Sequence, residues 1–148
     1  MTSGRQRKKV EAAVSPHLGA DERMKAAFIG QTPIPPITYV LIAPLIFIFI
    51  LKFRTIVVTE RNLYVFSHKW MRSYEYTGEP YKVGIDRARL ESGSMWARVD
   101  GGPKLWVMPF GPVKRSILQL EHAAFESRAS LLRAKAQPRD RGFGFTPM

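Results

Sequence analysis

The chain has 148 residues, enough for one domain with its own core but too few for two. Its 23 lysines and arginines against 12 aspartates and glutamates give a net charge of +11, which favours a polyanionic partner, either nucleic acid or an anionic lipid surface. Cysteine is absent, so disulfides, thiolate metal sites and a catalytic thiol are excluded.

Residues 1–33 form a basic N-terminal segment. SGRQRKK is expected to be mobile, and VEAAVSPHL predicts a short helix that ends before Pro16. Residues 24–29 follow a turn signal and form a candidate strand.

Residues 34–53 carry the most distinctive signal, because Lys52 is their only charge. Twenty helical residues rise about 30 Å, the thickness of a bilayer hydrocarbon core. The run LIAPLIFIFIL has no polar face at any period, and Pro44 argues against a central strand. The sequence therefore predicts one apolar membrane helix near the N-terminus. Its membrane-embedded side chains are Ile37, Val40, Leu41, Ile42, Pro44, Leu45, Phe47, Ile48, Phe49 and Leu51.

Two topologies are open for this segment. The basic residues that follow it outnumber those close before it, which places the C-terminal part in the cytoplasm. A single span would put residues 1–33 outside, whereas the basic N-terminus favours keeping both ends inside, through a shallow hairpin kinked at Pro44. If residues 24–29 pair with later strands, a single crossing becomes impossible.

Residues 54–136 read as a β domain closed by a helix. RTIVVTE and NLYVFSH predict a hairpin, with Leu63 and Val65 on one face and Tyr64 and Phe66 on the other. MRSYEYTG, VGIDRARLESG, MWARVDGG and KLWVMPF follow as short runs with frequent turns, typical of a compact antiparallel barrel or sandwich.

The last predicted element is an amphipathic helix over residues 113–136. Its apolar stripe is Val113, Ile117, Leu120, Ala124 and Leu131, widened by Leu118, Phe125 and Leu132. Glu121 and Arg128 fall within this arc, so part of the helix is expected to leave the domain. Residues 137–148 are expected to be a disordered tail. The predicted fold class is thus α+β.

The hairpin VVTERNLYVF directly after an apolar segment resembles the pleckstrin-homology-like domains of small bacterial membrane proteins, including actinobacterial ones. The match is closest over residues 55–66 and looser over residues 24–135. The resemblance implies a membrane-tethered binding or scaffold module and transfers no catalytic residue.

No motif for catalysis is present in the sequence. His17, His68 and His122 are isolated, without HExxH spacing, and no GxSxG, GxGxxG or GxxxxGK[ST] pattern occurs. Asp86, Glu91 and Asp100 each have arginine neighbours, as on solvated strand faces. We therefore expect a non-enzymatic protein without cofactor or bound metal.

Three binding interpretations remain. In the first, the β domain lies against the cytoplasmic leaflet of the cell membrane, although its basic residues also follow from insertion topology alone. Its lipid contacts are Lys52, Arg54, Arg61, Lys69 and Arg72, and its interface aromatics are Tyr39, Phe53 and Trp70.

The second interpretation is a nucleic-acid-binding β barrel, in which bases stack on Trp70, Tyr74, Tyr76 and Trp96. Neither an RNP-like nor a helix-turn-helix signature supports it, and the apolar segment counts against it. The third is a scaffold whose C-terminal helix docks a protein partner that the sequence does not identify.

Overall fold

The structure, a computed structural model, describes residues 4–32, 52–68, 75–107 and 113–137. Within these ranges, the elements in chain order are α1 (Gly4–Val14), a 3-10 turn (Ser15–His17), β1 (Ala26–Thr32), β2 (Lys52–Val58), β3 (Asn62–His68), β4 (Tyr81–Gly84), β5 (Leu90–Ser92), β6 (Trp96–Val99), β7 (Leu105–Trp106) and α2 (Val113–Ala136). The seven strands form one antiparallel sheet in the order β4-β3-β2-β1-β7-β6-β5. The predicted α+β class, with an antiparallel sheet and a C-terminal helix, is confirmed.

The N-terminal segment differs from its prediction in two ways. Helix α1 begins at Gly4, so most of the basic run that was expected to be mobile is helical. The predicted strand exists but lies further along the chain, at Ala26–Thr32.

Strands β1 and β2 pair over their whole length, from Ala26 opposite Val58 to Thr32 opposite Lys52. The two residues that flank positions 33–51 are therefore neighbours in the sheet. β1 also pairs with β7, and this approach requires a glycine at position 30. A Cβ there would lie 2.7 Å from Leu105 Cβ. The middle strand of the sheet, β1, thus precedes the apolar segment in the chain.

The sheet has two covered faces, an inner face under α2 and an outer face under α1. The predicted alternation along β3 is confirmed, because Leu63 belongs to the inner core and Tyr64 and Phe66 to the outer one. The inner core also includes Phe28, Ile56, Val58, Ile117 and Leu120, and the outer core includes Val10, Val14 and Val57.

The sheet is curled into a half-barrel around the inner face. Tyr81, on edge strand β4, donates its hydroxyl proton to Asp100 Oδ2 at 3.4 Å, although Asp100 follows β6 near the opposite edge. Asp100 and Gly101 both have positive φ angles, of 49° and 70°, and form the turn after β6. The curl therefore brings the two ends of the strand order close together.

Helix α2 has its predicted bounds, but two of its polar residues act differently from the prediction. Arg128 Nε donates to the Ile85 carbonyl at 3.1 Å and its Nη2 donates to the Ala88 carbonyl. Ser92 Oγ donates to the Glu121 carboxylate. These contacts fasten the helix to the turns of the sheet instead of releasing it. Its outward face exposes Leu118, Phe125 and Leu132.

The Thr-Glu-Arg-Asn turn of the VVTERNLYVF hairpin holds the connection between α1 and β1. Thr59 and Asn62 close the turn, since Thr59 N donates to Asn62 O and Asn62 N donates to Thr59 Oγ1, both at 3.0 Å. Asn62 Nδ2 also donates to the Glu22 carboxylate, and Tyr64 Oη donates to it at 2.7 Å. The hairpin motif on which the resemblance mainly rests thus fixes the connection between α1 and β1 in this fold.

Burial of the phenol and its hydrogen bond to Glu22 raise the pKa of Tyr64 to about 12 from its ordinary value of 10.0. The neutral phenol is the stabilised form, because ionisation would place a second negative charge beside the carboxylate. The folded-state pKa therefore lies above the unfolded one. The resulting stabilisation is complete below pH 10 and is lost as the pH rises towards 12.

We expect Tyr64→Phe to flatten the fall in unfolding free energy between pH 10 and pH 12. The wild type should lose about 2 kcal/mol more than the variant over this range, because part of the stabilisation is still present at pH 12. Urea denaturation followed by circular dichroism measures both proteins, with Tyr81→Phe as the control, since Tyr81 is 55% exposed. Equal pH slopes for wild type and Tyr64→Phe would contradict this account.

Candidate membrane-facing site

The segment end of the sheet, marked by Thr32 and Lys52, is where the apolar segment is attached. Thr32 Oγ1 donates to the Lys52 carbonyl at 3.2 Å, so the two attachment points are hydrogen-bonded neighbours. A single crossing would place β1 and β2 on opposite sides of the membrane. This pairing excludes the single-span topology.

The predicted membrane segment lies almost entirely outside the described residues. Lys52 and Phe53, predicted as its last residues, are instead the first residues of β2. Across the described ranges, no helix is both long and apolar enough to cross a membrane. The predicted site residues outside the described ranges are Ile37, Tyr39, Val40, Leu41, Ile42, Pro44, Leu45, Phe47, Ile48, Phe49, Leu51, Lys69, Trp70, Arg72 and Tyr74.

One cross-strand row of five ring-bearing residues and one glutamine lies on the outer face, one position from the segment end. Residues that face each other on neighbouring strands share a face of the sheet. The row runs through such pairs from β6 across β7, β1, β2 and β3 to an isolated bridge before β4, so all of its members lie on the outer face. We define this aromatic row as Trp96, Trp106, Gln31, Phe53, His68 and Tyr76.

Ring contacts join one half of the aromatic row. The rings of Phe53 and His68 stack with centroids 5.7 Å apart, and His68 meets Tyr76 edge to face at 5.8 Å. Phe53, one of the predicted interface aromatics, therefore belongs to a larger set. The row brings together residues from five strands and one bridge.

Basic side chains lie on both faces at the segment end. Lys52 and Arg54 are on the inner face, with Lys52 exposed and Arg54 half-buried. Lys104 precedes β7 and lies over two outer-face rings, with its Nζ 4.4 Å from the Trp96 centroid and 5.8 Å from that of Trp106. We name Lys52, Arg54 and Lys104 the basic trio.

The structure does not bring Arg61 together with this trio. Arg61 lies in the turn beyond the other end of β2, and a strand rise of about 3.3 Å per residue separates Lys52 from that turn by roughly 20 Å. Arg61 was predicted as a lipid contact from its place in the sequence alone. Its position in the fold assigns it to the far end of the sheet.

Trp106 and Lys104 were missed as site residues. The sequence KLW does contain a signal, because residues two apart on a strand share a face. The contact of Lys104 with Trp96 depends on the pairing of β6 with β7, which the sequence does not state. The ring of Trp96 proposed for base stacking is thus covered by a lysine on one side.

The remaining candidate groups have structural partners. The ring of His17 packs against Phe66 at 5.7 Å, and His122 Nδ1 lies 3.6 Å from the Glu126 carboxylate. Lys135 Nζ lies 2.9 Å from Asp86 and, mainly through this hydrogen bond, lowers the pKa of that carboxyl. Glu91 pairs with Arg98. Among the described residues, no three histidines or acids are grouped as metal ligands would be.

We expect the double variant Thr32→Cys, Lys52→Cys to form a disulfide, because directly opposed antiparallel residues have Cα atoms about 4.5–5.5 Å apart. The chain has no other cysteine to compete. Mass spectrometry of the oxidised protein should show loss of the two thiol hydrogens. The control Thr32→Cys, Phe53→Cys should stay reduced, because Phe53 points to the opposite face. Equal oxidation of both variants would contradict the register.

Comparison with known proteins adds no homologue to this geometry. No family model matches the chain, and no curated protein or solved structure matches it. No homologue therefore assigns a function, and the resemblance to pleckstrin-homology-like domains stays a prediction.

Proposed function

We propose that this protein is a non-catalytic, membrane-anchored binding module whose residues 33–51 enter the bilayer from the cytoplasmic face and return to that same face. The observation that carries the proposal is the pairing of Thr32 with Lys52, which fixes both ends of the apolar segment at one place. Neighbouring strand ends cannot lie on opposite sides of a bilayer. An apolar segment attached in this way enters and leaves through the same surface.

The length of the segment limits its depth. As a helix, the 19 residues from 33 to 51 would rise about 28 Å, close to one crossing and far short of two. Two arms of equal length would each reach about 14 Å, roughly one leaflet. Pro44 lies near the middle of the segment, where a reversal is needed and where proline interrupts a helix. We therefore propose a monotopic anchor.

The segment end supplies the groups that an interface requires. Aromatic side chains with polar edges favour the headgroup level, and the half-buried rings of the aromatic row lie one position from the segment, whereas Gln31 and His68 within the row are buried. Each basic residue near an anionic surface contributes about 1 kcal/mol, so the exposed Lys52 and Lys104 of the basic trio would add about 2 kcal/mol to the apolar anchor. The curled sheet and C-terminal helix support a pleckstrin-homology-like domain, as the resemblance implies.

A protein-docking scaffold is the second candidate, and one observation favours it. Leu118, Phe125 and Leu132 are 53%, 74% and 54% exposed and follow one another at seven-residue spacing on α2. This stripe is symmetric about Phe125, so the occupant that it fits is the same stripe of a second copy in antiparallel orientation. A scaffold of this kind needs no bilayer and would leave the membrane in an alkaline wash.

We expect the full-length protein to remain in the membrane pellet after alkaline carbonate washing, with both sides of the segment on the cytoplasmic face. Single-cysteine variants Glu11→Cys and Ser67→Cys should resist a membrane-impermeant maleimide in intact cells and react after the cells are opened. Ala43→Cys, within the apolar segment, should stay unlabelled in both cases. Opposite labelling of Glu11→Cys and Ser67→Cys, or release by carbonate, would refute the anchor.

We also expect the basic residues at the segment end to set the preference for anionic lipid. The variant Lys52→Gln, Lys104→Gln should lose about 2 kcal/mol of preference for phosphatidylglycerol-containing over phosphatidylcholine vesicles, measured by flotation. The matched control is Arg61→Gln, Arg87→Gln, which removes the same charge from turns beyond the far ends of β2 and β4.

The control variant should keep the wild-type preference, because its charges lie farther from the surface than the Debye length of about 10 Å at ordinary salt. Equal losses in the two double variants would mean that net charge, not the segment end, sets the preference. Retained preference in Lys52→Gln, Lys104→Gln would remove the basic trio from the proposed interface.

A further inference from the structure

A cavity of about 270 Å³ lies on the inner face of the curled sheet. One wall comes from β2 and β3 and the facing wall from β6, β7 and the turn between them. Its lining is mostly apolar, and the apolar residues are Ile56, Val65, Val99, Pro103 and Leu105. The cavity is half-open, so a ligand could enter without separation of the strands.

Two charged residues, Arg54 and Asp100, line this cavity, and they differ in their hydrogen bonds. Asp100 Oδ1 accepts the Arg89 backbone N–H at 2.7 Å, and Asp100 Oδ2 accepts the Tyr81 hydroxyl at 3.4 Å. The Arg54 side chain makes no hydrogen bond or ion pair with the residues that the structure describes, although its backbone is paired in the sheet. Asp100 therefore holds the wall, whereas the Arg54 guanidinium has no partner among the described residues.

Arg54 lines the cavity, so a ligand would lie on the cavity side of its side chain. The space over its cross-strand partner Gly30 is filled by Leu105. A half-buried guanidinium beside apolar side chains is poorly hydrated. A carboxylate or phosphate stabilises it strongly, because two parallel hydrogen bonds match the planar guanidinium. The neighbouring Ile56 and Val65 offer an apolar surface directly beyond it.

We propose that this cavity binds a single-chain anionic amphiphile, with its acidic group on Arg54 and its chain against the apolar walls. The cavity is slightly smaller than the roughly 300 Å³ at which ligand pockets usually begin, so it fits one short chain and not a diacyl lipid. A polyphosphate headgroup is disfavoured, because the apolar lining would desolvate charges that Arg54 alone cannot pair. This binding does not depend on the membrane anchor.

Carboxyl-labelled decanoate tests the proposal by carbon NMR on the full-length protein in phosphatidylcholine nanodiscs, with empty nanodiscs as the partition background. We expect saturable binding to the wild type. Arg54→Gln should weaken it at least about tenfold, the effect of losing a charge-assisted pair. Val65→Phe, which fills the cavity, should weaken it similarly, whereas Arg98→Gln, which removes a cation from the outer face, should leave it unchanged.

A second arm uses decanoyl lysophosphatidate in place of decanoate, because a free carboxylate and a membrane-derived monoacyl phosphate share the required chemistry. Saturable binding of either probe that depends on Arg54 supports the proposal, and the tighter probe identifies the source. Absence of saturable binding for both, or wild-type affinity in folded Arg54→Gln, overturns it. Flotation of the same samples is scored separately, so failure of the ligand site and failure of the membrane anchor give different results.

Discussion

The pairing of β1 with β2 is the constraint on which the rest of this structure depends. Seven residue pairs join strands that are separated in the chain by an apolar segment, and β1 then supports β7 on its other edge. Closing a long loop costs little more than closing a short one, because the entropy penalty grows only with the logarithm of its length. A connection of this length between neighbouring strands therefore has a small entropic cost, and both of its attachment points lie at one end of the sheet.

Coverage of both sheet faces explains the composition of the strands and also limits where a binding surface can lie. β2 and β3 contain continuous apolar runs because α1 covers the outer face and α2 the inner one. The sheet is thereby covered on both sides except at the cavity on its inner face. The ends of the strands remain, and the far end is taken by the Glu22 contacts with Asn62 and Tyr64. The segment end carries the basic trio and the aromatic row.

Local signals in the sequence predicted the local structure well. Alternation of Leu63 and Val65 with Tyr64 and Phe66 gave the two faces of β3, and the apolar spacing gave α2 its bounds. Features that depend on long-range pairing were missed or misplaced. Arg61 is near Arg54 in the chain but lies beyond the other end of β2, whereas Trp96 and Phe53 share one row although 43 positions separate them. Sequence proximity is a poor guide where antiparallel strands reverse direction.

Side chains at the start of β2 alternate between the two faces of the sheet, and the two basic residues there have different surroundings. The sequence alone predicted both of them as lipid contacts. Phe53 points to the outer face and joins the aromatic row, whereas Lys52 and Arg54 point to the inner face. A charge needed only to orient an apolar segment during insertion would be expected in open solvent, as Lys52 is. Arg54 is instead half-buried beside a cavity and faces a glycine. A partly desolvated cation has a cost that insertion topology does not explain, and pairing with a ligand would offset it.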